Sequence, residues 1–528
     1  MNINYKFNLK KNKKIFYLAF LLIFSFSFNQ YYGYIGILPL DSFLIFNSGY
    51  DFLNGYFPFK DYWTITGPLL DLIQAFFFKI FGVSWFSYVI HASTFNFLMA
   101  FCTFYTLYNF KLDINYCLFY SLLVSVICYP IAGTPFMDHH STILSIIGLF
   151  SFILALKTEQ KFYWFFMPII FGLAFLCKQT PAAYLIIVVS ILSIIHFYFF
   201  RDLKKIILLF SGSLTFVFFF VIILLIGDIS LISFFEQYIL FPRTMGESRL
   251  ELLFPLEFKR IILRFKLIHL SLFFLIYLVI KKIIEDQKYI KGQEFLIIIS
   301  LIVSSFALIT HQLMTINAKY IFFIIPIMCG FTHIYYKKYF DKKKYFLFFV
   351  IFLSLSSTIY YQNTYNQNRR FMDLQNINIK NAVNAISIDQ KLNNLKWISI
   401  LYPENPNEEI TKLNEAIKII KKDNKKKTIV TDYQFISVIL NIYDYSPNRF
   451  WHKGVGYPNK GEKYFNTYRS FFINKLKENK IEIIYSVKPL YFEKEFLEPI
   501  ISSECFKKTV LTDILDSYLL LNCKDLAN

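Results

Sequence analysis

The feature that most limits this chain is a succession of apolar runs, each separated from the next by a short polar or basic interval. A helix needs roughly 17 to 25 apolar residues to cross a hydrocarbon core of ~30 Å. Runs approaching or reaching that length fall near residues 15–36, 84–107, 114–132, 141–156, 162–177, 182–200, 206–226, 265–280, 295–310, 320–336 and 345–361. Backbone amides in lipid find no water, so such runs pair their own N–H and C=O groups as helices. The expected fold is an all-α polytopic membrane domain of about 11 transmembrane helices over 1–361, followed by a small extracytoplasmic α/β domain over 362–528. Composition agrees, because a charged fraction of 17% is too low to cover the surface of a soluble chain of 528 residues. The 65 Phe and 38 Tyr residues suit helices that face lipid and carry aromatic rings at headgroup level.

A net charge of +19 raises the question of nucleic acid, and the distribution of that charge answers it. Lys11, Lys13 and Lys14 precede the first run, and Arg201/Lys204/Lys205, Lys281/Lys282 and Lys342/Lys343/Lys344 lie between later ones. Basic loops are held on the cytoplasmic side, so these clusters set an orientation and imply no nucleic-acid partner. With the N-terminus cytoplasmic, Lys111, Lys157 and Lys161 also fall inside, while His139, His140, His311 and most loop carboxylates fall outside. Lys259, Arg260 and Arg264 run against this scheme. An odd number of spans leaves 362–528 outside the plasma (inner) membrane. No small-x-small cleavage pattern follows Phe16 to Phe28, so the first run is expected to be retained as a span.

The tail differs in kind. Lys427–Thr431, Ile481–Tyr485 and Tyr518–Leu521 read as short strands, and residues 409–422 and 466–479 as amphipathic helices. Cys102, Cys117, Cys128, Cys177 and Cys329 lie in or at apolar spans, where cysteine acts as a small hydrophobe. Cys505 and Cys523 flank two strand-like runs around Thr512-Asp513. Outside the cytoplasm they suit a disulfide across a hairpin, with two separate thiols as the alternative.

Residues 38–83 form a first outer loop, too polar to span and too aromatic to be a free linker. Asp41, two residues after Pro39, reads as the N-cap of an amphipathic helix running to Leu53, with Gly55 placed to stop it and Pro58 beyond. Gly49 argues against one unbroken helix. Leu69 to Phe81 reads as a second amphipathic helix with Asp71, Gln74 and Lys79 on its wetter side. Two such helices suit the outer membrane interface.

Asp41, then Asp51-Phe52-Leu53-x-Gly55-x-x-Pro58-Phe59-Lys60-Asp61, Gly67-Pro68-Leu69 and Phe81-Gly82 resemble the first outer loop of GT-C membrane glycosyltransferases. The likeness is nearest to bacterial relatives of protein O-mannosyltransferases and lipid A aminoarabinose transferases. It extends to the order of spans and to the run Gly172–Thr180. Many relatives have two adjacent acidic residues where this chain has Asp41-Ser42, so the correspondence rests on Asp41 alone.

The resemblance implies transfer of a sugar from a polyprenyl-phosphate carrier to a glycan, lipid or protein acceptor at the outer face. That chemistry needs a base for the acceptor hydroxyl, positive charge for the departing phosphate and an apolar groove for the prenyl chain. Asp41 is the expected base, with helix capping as its structural alternative. Asp51 and Asp61 are secondary carboxylates in the same loop, with solvated loop positions as their alternative. Lys178, Arg243, Arg249, His311 and Lys319 are the outer-end groups available to a phosphate. Asp138, His139 and His140 offer a second acidic site or ligands for a divalent metal, or merely cap the span that begins at Ser141. Trp451-His452-Lys453 suits either sugar stacking or packing. A transporter or flippase of lipid-linked glycans, or a non-catalytic glycan-binding relative, would share the many spans. Against the first stand the absence of a convincing internal repeat and the scarcity of ionisable groups near mid-span.

Overall fold

The computed structural model describes residues 2–251, 257–315, 321–340, 344–441, 446–488, 490 and 496–523. Each of the eleven expected apolar segments overlaps a helix. Among the described residues, seven helices are long and apolar enough to cross a membrane: Asn12–Gly33, Met137–Thr158, Gln179–Phe200, Leu203–Ile226, Lys266–Glu285, Gln293–Thr315 and Tyr345–Gln367. Ile114–Ile127 and Phe162–Cys177 are apolar but shorter. Trp85–Asn109 has the length, at 25 residues, but buries Ser93, Asn96, Thr103 and Thr106 among its apolar side chains. The chain is an integral membrane protein built mostly of helices, with a small sheet domain near its C-terminus.

Contacts gather the chain into two compact units, each assembled from separate stretches. The first comprises residues 1–33, 92–219 and 249–371; the second comprises 34–91, 220–248 and 372–528. The first outer loop thus falls in the same contact unit as the tail, across the 361/362 division read from polarity.

In the first unit, Met137–Thr158 packs against Phe162–Cys177, Gln179–Phe200 and Gln293–Thr315. It is the most enclosed span, 83% buried, so its polar first turn is set among protein rather than lipid. The loop that delivers this turn is pinned from several sides. Arg369 donates to the carbonyls of Pro130, Ile131 and Ala132, and Asn29 Nδ2 donates to Gly133 O. Gly133 sits at φ +78°, and a Cβ there would come within 2.6 Å of Gly33 Cα, so only glycine fits.

The second unit carries a four-stranded sheet of β1 (Lys427–Thr431), β2 (Ile483–Val487), β3 (Phe506–Val510) and β4 (Leu515–Leu520). The order is β1-β2-β4-β3, with β1 and β2 parallel and the other pairs antiparallel. Helices Pro406–Lys422 and Phe465–Glu478 bury one apolar face each. Cys505 and Cys523 form a disulfide at the open end of the β3–β4 hairpin, beside the Phe506–Leu520 pair. The core of this unit joins Trp451, Tyr468, Phe472 and Phe496 of the tail to Trp63 of the first loop and to Phe241. Trp451 is 1% exposed, so it packs and is not available to stack on a sugar.

The first loop folds differently from its sequence reading. Pro39, with its fixed φ, starts a short helix Pro39–Ser42, so Asp41 lies inside it and is no N-cap. The Leu38 N–H is taken by Ser42 Oγ at 2.9 Å instead. The chain breaks at Phe43, whose buried ring lies 4.6 Å from that of Phe435 and 5.8 Å from that of Trp397, before helix Leu44–Leu53 begins. Gly49 does not break that helix. A Cβ at Gly49 would lie 2.5 Å from Gln74 Cγ, so its role is to let Leu44–Leu53 approach helix Pro68–Phe81. Gly55, at φ +84°, turns the chain after Leu53 as expected. Asp71 and Gln74, read as the wetter face of the second helix, are buried. Tertiary partners there replace water: Asp71 receives Ser48 and Tyr62, and Gln74 Oε1 meets His91 Nδ1 at 2.9 Å.

Candidate functional site

Asp138, Lys178, His311 and Arg249 come from four distant parts of the sequence and gather in the first unit. Asp138 stands in the first turn of Met137–Thr158, where the helix dipole favours an anion. Lys178 is the non-helical residue between Phe162–Cys177 and Gln179–Phe200, and its carbonyl accepts from Ser141 Oγ at 3.1 Å. That anchor aims its side chain at the neighbouring turn, and Lys178 Nζ lies 2.7 Å from Asp138 Oδ2. The Asp138 side chain is 2% exposed and that of Lys178 20%.

His311 approaches from the last turns of Gln293–Thr315. Gln312 Nε2 donates to His311 Nδ1 at 3.2 Å, which leaves the ring proton on Nε2. His311 Nε2 is 3.7 Å from Asp138 Oδ1, too long for a hydrogen bond, and neither atom has another hydrogen-bond partner among the described residues. The half-buried Arg249 is close enough to act electrostatically on His311 and Tyr184. Lys178 and His311 thus face one carboxylate, with Arg249 near His311, and Asp138 Oδ1 and His311 Nε2 retain hydrogen-bonding capacity.

His139 and His140 do not join it. Consecutive helical residues point about 100° apart, and the two rings instead enter aromatic packing. The His139 ring stacks 5.1 Å from Tyr129, and His140 lies 4.0 Å from Phe95 with Nδ1 bonded to the Tyr129 hydroxyl. Among the described residues no group of three His, Cys, Asp or Glu side chains is arranged to hold a metal ion. Asp138 directs Oδ2 at the Lys178 ammonium, while the two histidine rings pack among aromatics.

The remaining residues singled out from sequence lie in the second unit or outside the described part. Asp41 is half-buried and close enough to Tyr88 to influence it electrostatically. Arg243 is exposed on helix Phe241–Leu250, and its side chain is directed about 120° away from that of Arg249 six residues later. Lys319 lies outside the described residues. Asp61 closes a turn, its Oδ2 accepting Phe57 N at 2.7 Å.

Asp51 has a partner that sequence reasoning did not supply. Arg449 reaches its Oδ2 with Nε at 2.9 Å and a terminal nitrogen at 2.7 Å, and both side chains are almost fully buried. Arg449 also donates to Ser446 O at 2.7 Å and lies 4.3 Å over the Tyr62 ring. Asn47 bridges Asp51 to Ser437, and the Tyr62 hydroxyl continues to Asp71 at 3.1 Å. Ser48 Oγ donates to the other Asp71 oxygen at 2.6 Å. Burial raises Asp71 to about 6 even though Ser48, Tyr62 and Arg449 all favour its charged form. The available signal was an arginine embedded in an aromatic stretch, Arg449-Phe450-Trp451, which once buried requires a carboxylate.

No protein-family model and no curated protein matches the chain. Among solved structures, it is similar to crystal structures of an oligosaccharyltransferase of Archaeoglobus fulgidus. One, in complex with Zn and sulfate, is 12% identical over 89% of this chain and 68% of that chain, with a TM-score of 0.46. The other, tethered through a disulfide to an acceptor peptide containing the NVT sequon, is 12% identical over 90% and 69%, with a TM-score of 0.40.

Proposed function

We propose that this protein is a membrane glycosyltransferase of the GT-C type, moving a sugar from a polyprenyl-phosphate carrier to an acceptor hydroxyl or amide at the outer face. The observation that carries the reading is the Lys178–Asp138 pair: a partly exposed lysine held by a buried carboxylate at the end of a membrane span, with His311 and Arg249 beside it. Such a cluster offers positive charge to a phosphate that gains negative charge as the bond to sugar breaks. The first-loop pattern from Asp41 through Gly82 supports the same reading.

In the proposed displacement, an acceptor oxygen or nitrogen attacks the anomeric carbon and the carbon–oxygen bond to phosphate breaks. The electron pair leaves on polyprenyl phosphate, and the anomeric configuration inverts. The acceptor proton passes to a carboxylate, and the first-loop resemblance makes Asp41 the residue to test for that role. Lys178, with Arg249 and His311, is assigned to the phosphate. No metal step is included, and Arg243 and Lys319, read from sequence as groups available to the phosphate, are left to be tested by substitution. The test is transfer from a radiolabelled prenyl-phosphate sugar in membranes carrying wild-type protein, Asp41→Asn or Lys178→Gln. Loss of transfer in both variants is expected, and wild-type transfer rates in both would end the proposal.

A further inference from the structure

A charged cavity lies at the other end of the span that presents Asp138. Met137–Thr158 has 22 residues, so at ~1.5 Å per residue its ends are about 33 Å apart, close to the thickness of a hydrocarbon core. At the far end is a cavity of about 300 Å³ lined by Leu156, Lys157, Glu294, Ile297, Tyr335 and Lys338, among others. Its lining mixes apolar side chains with Lys157, Lys338 and Glu294.

The two lining lysines are in different states. Lys338 is engaged by Glu294, which also receives the hydroxyls of Tyr339 and Tyr289, so that carboxylate is saturated. Lys157 is exposed, lies 5.3 Å over the Phe110 ring, and has no carboxylate partner among the described residues. Lys337 adds a further exposed cation on the same helix end as Lys338. A few residues toward mid-span, Ile147, Phe150 and Leu154 of the same helix line an apolar cavity of about 230 Å³ with Tyr105 and Phe166. A cation with no carboxylate partner among the described residues, set beside an aromatic ring and apolar lining at the end of a lipid-spanning helix, matches a ligand with an anionic head and a hydrocarbon tail.

We propose that this cavity binds the headgroup phosphate of an anionic phospholipid, with Lys157 as its principal contact and the acyl chain lying along the adjoining apolar surface. The site is separate from the Lys178 cluster and stands whether or not the transferase reading holds. The test is exchange of the purified full-length protein into mixed micelles of equimolar phosphatidylglycerol and phosphatidylcholine, with mass spectrometry of the lipid retained. Wild type is expected to retain phosphatidylglycerol in excess, and Lys157→Gln to lower that excess about fivefold, the effect of roughly one lysine at an anionic surface. Lys157→Arg keeps the charge and is expected to keep the preference, which also guards against a folding defect in the first variant. Lys161→Gln, which removes an exposed lysine outside the cavity lining, is expected to leave it unchanged. Equal retention of the two lipids by wild type would overturn the proposal, as would an equal drop in Lys157→Gln and Lys161→Gln. Complete displacement of phosphatidylglycerol by excess inorganic phosphate would overturn the lipid assignment.

Discussion

Asp71 and Asp138 are both carboxylates with almost no exposed surface, yet their surroundings are built for different ends. Each Asp71 oxygen receives a hydroxyl, from Ser48 and from Tyr62, and the network continues to Arg449 and Asp51. Asp138 has one oxygen on Lys178 and the other facing His311 across 3.7 Å. A buried carboxylate whose two oxygens both receive hydrogen bonds holds a fold together and offers little to a ligand. A carboxylate paired with a partly exposed lysine, with one oxygen unbonded, is suited to exchange partners when an anion arrives. The same residue type is therefore structural in the second unit and a functional candidate in the first.

The largest expected effect breaks the structural side of this contrast. Arg449→Leu leaves Asp51 buried without its cation and is expected to destabilise the second unit by about 3–5 kcal/mol. The check is the unfolding midpoint of purified protein, alongside an Asp51→Asn/Arg449→Leu double variant that recovers part of the loss. If Arg449→Leu unfolds at the wild-type midpoint, Asp51–Arg449 is not a structural pair.

On the functional side, Lys178→Gln is expected to slow sugar transfer by roughly 10² to 10³-fold, the usual scale for removing one group that stabilises developing charge. Adding Asp138→Asn removes the uncompensated carboxylate, so the double variant is expected to regain thermal stability without regaining transfer. Joint recovery of both would make Lys178–Asp138 a structural pair as well, and the contrast would vanish.

Asp71 adds a pH signature. Its folded value, about 6, lies above the ordinary 3.8, so the folded state binds the proton more tightly than the unfolded state. Stability of this unit is therefore greatest below pH ~4 as far as Asp71 is concerned, and falls as pH rises through the window from 4 to 6. The span of that fall is on the order of 3 kcal/mol. Asp71→Asn is expected to flatten it, measured as unfolding midpoint against pH, and an unaltered slope would place the titration elsewhere.

The smallest expected effect concerns the close approach behind the network. Gly49→Ala puts a methyl 2.5 Å from Gln74 Cγ and is expected to cost about 1–3 kcal/mol. Gly246→Ala, with nothing within 4 Å, is expected to stay within about 0.5 kcal/mol of wild type. Equal effects at both positions would show that the helix pair in the first loop has slack.

Much of the helical scaffold was legible because hydropathy is a local property: Leu203–Ile226 and Gln293–Thr315 stand out by composition alone. The β1 strand and the cysteine-flanked hairpin were legible for the same reason, through β-branched runs and a turn. Among site residues, Lys178, His311, Asp138 and Arg249 were visible as polar groups at span ends. Their meeting was not, and neither was the burial of Asp71 and Gln74, whose spacing reads as a solvated helix face until another helix and the Tyr62 hydroxyl cover it.

The amino-acid order by itself determined where the backbone must pair its own amides, since lipid provides no alternative partner, and hence where helices run. It also determined which ends of those helices carry charge. Only the tertiary structure decided which charges meet: Asp51 finds Arg449 across 398 positions, and Asp138 finds Lys178 across 40. Coulombic and hydrogen-bond energies depend on distance in space, and along a folded chain that distance is set by packing rather than by separation in sequence.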